Sequence, residues 1–210
     1  MNIQTKAPHA PNAEQAAVEI DIRAATPNDA DAMAKLINLA GEGFPVYLWE
    51  SMIEGDETVW DVGRRRAQRE EGGFSYRNTY VAVGEDQIMG AITAYAQPDT
   101  IDPVDPAETP AMFVPILELE GLAPGSWYIN VLAVFPPFRN LGLGSVLVRA
   151  AEQHARDAGK HTVSIIASDG NPGAVRLYER LGYQVRATRT MIKDGWENPG
   201  KNWILLTKEV

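Results

Sequence analysis

The spacing of hydrophobic residues predicts a strand followed by a capped helix near the start of the chain. Residues 18–23 alternate apolar with charged side chains, which is typical of a half-buried strand. Apolar positions in residues 33–40 then recur at helical spacing, behind a Thr26-Pro27 pair that favours a helix start. We therefore expect a strand, a turn and a helix in succession, with the helix ending at Gly41 or Gly43.

The next part of the chain predicts a broken helix and a β-hairpin. Residues 44–72 have helical spacing that is interrupted near Gly55, and they end in an arginine-rich run whose simplest interpretation is a solvated helix face. Residues 79–83 and 88–96 are rich in β-forming side chains and flank a short polar turn. That arrangement indicates an antiparallel hairpin.

A proline-rich segment at 99–125 separates the hairpin from the second half of the chain. It surrounds a short apolar piece, residues 111–119, which predicts one or two helical turns. Loops of that length in a compact domain are usually lids or binding loops, so we interpret the segment as an insertion that serves as a substrate lid. Beyond it the pattern predicts a strand at 126–134, a helix from Gly144 or Ser145 to Gly159, a strand at 161–167, a helix at 174–181 and strands at 183–192 and 203–207. This succession predicts a mixed α/β sheet.

The composition supports a single folded domain. Of the 210 residues, 45% are hydrophobic, which is enough for one sizeable core, and we assign residues 19–210 to one domain. Residues 1–18 are polar and lack the charged start and apolar run of a secretory signal, so we expect a flexible tail there. No window approaches the roughly 18 consecutive apolar residues that a membrane span requires. We expect a cytoplasmic protein without a membrane partner.

Charge and residue types narrow the chemistry further. A formal charge of −9 and a pI near 4.9 argue against binding to nucleic acid and would attract a cationic substrate. The chain has no cysteine, which removes disulfides and thiol nucleophiles, and its three histidines are not at the spacing of metal ligands. We therefore expect no metal cofactor.

The segment after the strand at 126–134 is the strongest candidate for ligand binding. The run from Arg139 to Gly144 would place free backbone N–H groups at a helix N-terminus, where phosphate oxygens bind. Glycines 142 and 144 would let the backbone approach a pyrophosphate. A dinucleotide-binding fingerprint needs a third glycine or alanine at the position of Leu147, so the sequence matches it poorly. A nucleotide P-loop needs Gly-Lys-Ser/Thr, but the Gly-Lys pair at Gly159 is followed by histidine, so that motif is absent from the sequence.

A third interpretation of this segment rests on a resemblance to a known family. The run Arg139-x-x-Gly142-x-Gly144 closely resembles the acetyl-CoA loop of the GNAT superfamily of N-acetyltransferases. A second block, Asn171-x-x-Ala174-x-x-Leu177-Tyr178-Glu179-x-x-Gly182-Tyr183, matches the other hallmark of that superfamily at the expected distance. The resemblance covers roughly residues 19–210. It implies the GNAT fold, a mixed and mostly antiparallel sheet of six to seven strands that is splayed between its two central strands, with helices on both faces.

The resemblance also implies acetyl-CoA as the co-substrate. The pantetheine arm would lie between the strands at 131–134 and 162–167 and pair with the backbone of Leu132 and Val134, as an added strand does. Its pyrophosphate would contact the amides of the Arg139 to Gly144 run. The implied cofactor-binding set is Leu132, Ala133, Val134, Arg139, Asn140, Leu141, Gly142, Leu143, Gly144, Ser145, Asn171, Ala174 and Tyr178.

Acetyl transfer to an amine needs a proton donor for the departing thiolate and a base for the amine. The resemblance places Tyr178 beside the thioester sulfur as the proton donor. A phenol with a pKa of about 10 is protonated at neutral pH and can donate. The alternative is that Tyr178 is one of the aromatic residues of the core.

The base is where this chain departs from the superfamily. Many members carry a glutamate where this chain has Asn130, and an amide cannot accept a proton at useful pH. Asn130 would orient a water or a substrate group, or simply satisfy the strand. The nearest carboxylates are Glu118 and Glu120 of the insertion, which are otherwise solvent-exposed charges.

The amine pocket is expected in the parts of the chain that match the superfamily least. Its candidate lining is Phe44, Tyr47, Trp49 and Glu118, although the three aromatics equally fit a core. The resulting hypothesis is direct transfer of acetyl from acetyl-CoA to a primary amine of a small molecule or peptide, through a ternary complex. The alternative is a catalytically silent acyl-CoA-binding sensor or interaction module, which Asn130 favours. The sequence does not identify the acceptor, and a homodimer, frequent in the superfamily, stays open.

Overall fold

The fold is organised around one seven-stranded sheet. The computed structural model describes residues 20–210, so the tail predicted at residues 1–18 lies outside the described residues. The strands are β1 (Asp21–Ala24), β2 (Thr79–Gly84), β3 (Gln87–Ala96), β4 (Trp127–Val134), β5 (Thr162–Ser168), β6 (Gln184–Thr190) and β7 (Asn202–Glu209). Their order in the sheet is β1-β2-β3-β4-β5-β7-β6. All neighbours pair antiparallel except β4 and β5, which pair parallel.

Helices cover both faces of the sheet. They are α1 (Ala30–Ala40), α2 (Phe44–Glu50), α3 (Val59–Ala67), α4 (Val114–Glu120), α5 (Leu143–Asp157) and α6 (Pro172–Arg180). On one face, α5 and α6 bury an apolar core with β3, β4 and β5. On the other face, α1 to α3 pack over β2 to β4, while α4 packs over β6 and β7. Among the described residues, none of these helices combines the length and apolar character that crossing a bilayer demands.

The predicted GNAT-type sheet is therefore confirmed, and the structure refines two of the predicted elements. The helical segment at 44–72 is two helices, because Gly55 adopts a positive φ of 58° and Thr58 begins a new helix as its N-cap, accepting the Asp61 N–H. The apolar stretch in the predicted insertion forms the two-turn helix α4. Its Leu119 is fully buried beside Leu205 of β7, which fixes the segment against the sheet.

The two central strands separate part-way along their length. Residues Trp127 to Ile129 of β4 pair with Val163 to Ile165 of β5. Beyond these residues, the facing edges of the two strands are not hydrogen-bonded to each other. On its other edge β4 carries a β-bulge, since Val131 pairs with Thr93 and Ile129 pairs with Ala94, which leaves Asn130 as the extra residue. The sheet therefore opens into a cleft at the level of Asn130.

Candidate active site

The separation of β4 and β5 creates a cleft with a volume of about 640 Å³. Its walls come from the C-terminal ends of both strands, the loop before α5, the inner side of α6, the loop between α1 and α2, and one residue of β7. The lining brings together predicted residues that are distant in sequence: Asn130, Leu132, Ala133, Val134, Arg139, Asn140, Gly142, Leu143, Gly144, Ser145, Asn171, Ala174 and Tyr178. Both sequence blocks that suggested acetyl-CoA binding therefore face one cavity.

The backbone of β4 presents hydrogen-bonding groups to this cleft. The Phe135 N–H donates to the carbonyl of Met89 on β3, and alternate residues of an antiparallel strand bond to the same neighbour. The backbone groups of Leu132 and Val134 consequently point away from β3, toward the gap. The Val134 carbonyl accepts a 3.1 Å hydrogen bond from Nε of Arg139, which holds that guanidinium at the edge of the cleft.

The loop before α5 exposes a set of backbone amides. Asn140 and Gly142 have positive φ values of 64° and 82°, which turn successive N–H groups outward ahead of the helix. Within residues 20–210, the N–H groups from Asn140 to Gly144 have no acceptor. A Cβ on Gly142 would meet nothing within 4 Å, whereas one on Gly144 would lie 3.2 Å from Leu177 of α6. Gly142 is thus required by its backbone conformation and Gly144 by a close approach.

The α6 helix contributes Asn171 and Tyr178. Asn171 is the N-cap, and its Oδ1 accepts the Ala174 N–H at 3.1 Å, so Nδ2 is the part of this side chain that a ligand can use. Tyr178 is only 4% exposed and lines the cleft. Burial raises the pKa of its phenol, which keeps the hydroxyl protonated.

A polar cluster lies behind the bulge in β4. Nδ2 of Asn130 donates a 3.0 Å hydrogen bond to the hydroxyl of Tyr95 on β3. Burial raises the pKa of Tyr95 to about 12, Glu120 adds to the rise, and the hydrogen bond from Asn130 opposes it. Burial also raises the pKa of Glu120, while hydrogen bonds from Tyr128 and Gln97 act in the opposite direction. A carboxylate of increased basicity therefore lies near Tyr95, which in turn bonds to Asn130 in the cleft wall.

Comparison with known proteins identifies the family. The family model described as the acetyltransferase (GNAT) family matches residues 43–183 of the chain, which include the loop before α5 and all of α6. This protein belongs to the GNAT acetyltransferase family.

Named relatives agree with that assignment over part of their length. A mycothiol acetyltransferase of Thermomonospora curvata is 26% identical over 136 residues, which are 65% of this chain and 37% of that protein. The N-alpha-acetyltransferase MAK3 of Arabidopsis thaliana is 40% identical over 62 residues, which are 30% of this chain and 32% of that protein. The matched region thus spans about a third of the length of these two GNAT relatives.

A solved structure supports the GNAT fold over nearly the whole chain. The polyamine N-acetyltransferase of Drosophila melanogaster, described as forming N-acetylagmatine, superposes with a TM-score of 0.63. The superposition covers 91% of this chain and 100% of that one at 19% identity. At that identity the likeness concerns the fold alone.

Several residues predicted for the GNAT site lie elsewhere. Phe44 packs against Trp196 and Phe113 in a separate aromatic cluster, which Tyr47 also joins. Trp49 is buried under α3, where its ring limits the space at Gly63. Three more predicted site residues lie outside the cleft lining. Glu118 forms an ion pair with Arg189 at 2.6 Å, and Glu120 lines a neighbouring cavity of about 500 Å³. The side chain of Leu141 is 65% exposed.

The GNAT cleft also contains residues that sequence reasoning missed. Glu42 and Trp203 line one part of it, Arg180 lines another, and Tyr95 supports Asn130 from behind. Glu42 belongs to the loop between α1 and α2, where it adopts a positive φ of 53° without being a glycine. No local pattern marks these residues, because the sheet topology brings them to the cleft.

Proposed function

We propose that this chain is an N-acetyltransferase that moves acetyl from acetyl-CoA to a primary amine by direct attack in a ternary complex. Membership of the GNAT acetyltransferase family supports acyl transfer in general. The observation that carries the specific proposal is one continuous cleft that joins the free amides before α5 to the buried hydroxyl of Tyr178.

The residues at one part of the cleft fit the diphosphate of coenzyme A. Five successive N–H groups without acceptors, at the start of a fifteen-residue helix, favour a bound anion. Arg139 and Arg180 line the same cleft and add positive charge. Leu132 and Val134 offer the unpaired strand edge along which an extended arm that contains amides would bind. Bound there, acetyl-CoA would supply the activated acetyl thioester.

Tyr178 is proposed as the proton donor to the leaving sulfur. Its buried phenol has a raised pKa, so it remains protonated across the physiological range and retains a proton to donate. The N-cap Asn171 would position the same end of the ligand through Nδ2.

Glu120 is proposed as the base, acting through an ordered water that Asn130 orients. Asn130 itself cannot accept a proton, and its Nδ2 is already bonded to Tyr95, which leaves Oδ1 as the group that can accept a hydrogen bond in the cleft. Burial brings the pKa of Glu120 closer to the operating pH, as general base catalysis requires. Glu118 is a weaker choice because Arg189 neutralises it.

The proposal is tested by measuring the release of free CoA thiol from acetyl-CoA in the presence of a panel of primary amines, together with calorimetric binding of CoA. We expect CoA to bind and thiol release to depend on both the enzyme and an amine. Tight CoA binding without thiol release for any amine would instead support the silent sensor, and absence of CoA binding would contradict both.

A further inference from the structure

The charged residues that line the cleft are separated by sign. The basic residues Arg139 and Arg180 line the part that the loop before α5 and α6 provide. Of the described residues that line the cleft, Glu42 is the only one with a carboxylate, and it comes from the loop between α1 and α2. A ligand that spans the cleft therefore meets positive charge at one part and negative charge at another.

Glu42 is held in place by the loop between β6 and β7. Its Oε2 accepts a 2.6 Å hydrogen bond from Nδ2 of Asn198, and its backbone carbonyl accepts one from the Trp196 indole at 3.3 Å. Asn198 is itself buried and accepts the Gly200 N–H through Oδ1. Within residues 20–210, Oε1 of Glu42 has no hydrogen-bonding donor, so one carboxylate oxygen stays free for a ligand.

The backbone at Glu42 indicates that this position is constrained. A φ of 53° is uncommon for a residue other than glycine, and the next residue, Gly43, also has a positive φ of 88°. Such a conformation is strained, so surrounding structure has to hold it. The contacts from Trp196 and Asn198 provide that restraint.

An aromatic wall accompanies the carboxylate. Trp203 of β7 lines the cleft and stacks on Trp196 with the two ring planes 8° apart. Trp196 in turn donates to the Glu42 backbone, so carboxylate and aromatic rings form one connected unit. A cleft wall that offers both a carboxylate and an indole suits an organic cation with an apolar chain.

Resting on the proposed acetyl transfer, we infer that Glu42, in the cleft that Trp203 also lines, binds a second, non-reacting cationic group of the acceptor. The reacting nitrogen is not the group at Glu42, because pairing with a carboxylate favours the protonated form and suppresses nucleophilic attack. A second ammonium or guanidinium can stay paired throughout. The acceptor class is therefore an amine that carries another positive charge separated by an apolar chain.

Three acceptors of matched length test this assignment. Butane-1,4-diamine carries a cation at its far end, butylamine carries none, and 4-aminobutanoate carries an anion. We expect kcat/KM of the wild-type protein to be about tenfold to a hundredfold higher for the diamine than for butylamine, as a hydrogen bond to a charged group contributes, with 4-aminobutanoate the poorest. Glu42→Gln should bring the diamine-to-butylamine ratio of kcat/KM close to one, mainly by raising KM for the diamine. Glu42→Lys should make 4-aminobutanoate the preferred acceptor.

Controls separate this inference from the proposed function. Glu50→Gln, on the exposed side of α2 and outside the cleft lining, should leave all three values unchanged. If the wild-type protein acetylates the three acceptors equally, or if Glu42→Gln leaves the diamine rate unchanged, the role of Glu42 is wrong while acetyl transfer stands. If no acceptor is acetylated, calorimetric binding of butane-1,4-diamine to CoA-saturated protein decides the matter. Binding that Glu42→Gln abolishes supports the site, and absence of binding by the wild-type protein overturns it.

Discussion

The side-chain amide of Asn130 donates a 3.0 Å hydrogen bond to the hydroxyl of Tyr95 on the neighbouring strand. Asn130 is the extra residue of the β-bulge in β4, and the contact ties the bulge to β3. Tyr95 in turn experiences the charge of Glu120. The bulge thereby connects the point where the sheet opens to a half-buried carboxylate that lines the neighbouring cavity.

Removing the Tyr95 hydroxyl should impair turnover more than binding. Tyr95→Phe deprives the Asn130 amide of its acceptor, so we expect kcat to fall about tenfold, unfolding free energy to fall by about 1 kcal/mol and CoA affinity to stay constant. Steady-state kinetics and denaturant unfolding measure these quantities. Tyr76→Phe is the control, since its hydroxyl accepts a hydrogen bond from Arg77 at the surface. An unchanged kcat in Tyr95→Phe would separate Asn130 from the chemistry.

Local sequence patterns and the family resemblance are sufficient for the elements on the side of the cleft proposed to hold the cofactor. The strand ending at Val134, the loop with Gly142 and the helix that carries Tyr178 each follow from spacing, turn chemistry or the family resemblance, and they meet at one cleft. The splay between the central strands followed from the resemblance alone, because strand pairing is a property of the sheet and not of either strand.

The side of the cleft proposed to hold the acceptor is mostly not predictable from the sequence, for a related physical reason. Glu42 and Trp203 are separated by most of the chain and become neighbours of one cleft only through the sheet order. The aromatics near Phe44 were ambiguous between core and pocket, and they pack into a separate cluster. The bulge at Asn130 has no signature within β4, since it is defined by the register with β3.

Gly142 and Gly159 form a matched pair for testing the amide loop. Both have positive φ, at 82° and 69°, and at both a Cβ would meet nothing within 4 Å. Alanine at either position should therefore destabilise the protein similarly, by about 1 kcal/mol, through the backbone alone. Only Gly142→Ala should also weaken CoA binding, about tenfold or more by calorimetry, because it disturbs the free amides. Equal CoA affinity in the two variants would contradict the diphosphate assignment.

Tyr178→Phe tests proton donation to the leaving thiolate. Loss of one acid–base group is worth about 10²-fold in kcat, and we expect CoA affinity to remain within about twofold because the ring is retained. The control is Tyr183→Phe, whose ring centroid lies 6.0 Å from that of Tyr178 but which does not line the cleft. Thiol release at the wild-type rate from Tyr178→Phe would remove this residue from the mechanism.

The ion pair between Arg23 and Asp29 predicts that part of the unfolding free energy is lost at acidic pH. Two hydrogen bonds of 2.8 and 2.9 Å from the guanidinium, together with bonds from Thr26, lower the pKa of Asp29 to about 2. A lowered pKa in the folded state means that the stabilisation is complete above the unfolded value of about 3.9 and is lost as pH falls toward 2. Asp29→Asn should lower unfolding free energy by at most about 2 kcal/mol at neutral pH, because water screens the partly exposed Arg23. In urea unfolding, the difference from wild type should shrink between about pH 4 and pH 2, and a constant difference would contradict the pair's role.

Glu120→Gln should change both the pH dependence of kcat/KM and the pH dependence of the unfolding free energy. Burial raises the pKa of Glu120 in the folded state, so kcat/KM of the wild-type enzyme should rise with pH through a midpoint above the ordinary glutamate value of about 4.3. The variant should lose that acid limb and about 10²-fold of the plateau rate. Because the folded state holds the proton more tightly than the unfolded state, wild-type stability falls as pH rises from the unfolded to the folded pKa. Glu120→Gln should accordingly be the more stable protein at neutral pH and match wild type below about pH 4.

Glu85→Gln, in the exposed β2–β3 turn, is the control for both measurements, and it should reproduce the wild-type pH profile and stability. If Glu120→Gln retained the acid limb with a normal plateau, deprotonation of the amine would be assigned to another group or to solvent. The stability signature would still report the burial of Glu120, since it depends only on the difference in proton affinity between the folded and unfolded states. The two readouts together thus separate a carboxylate that is merely buried from one that takes the proton.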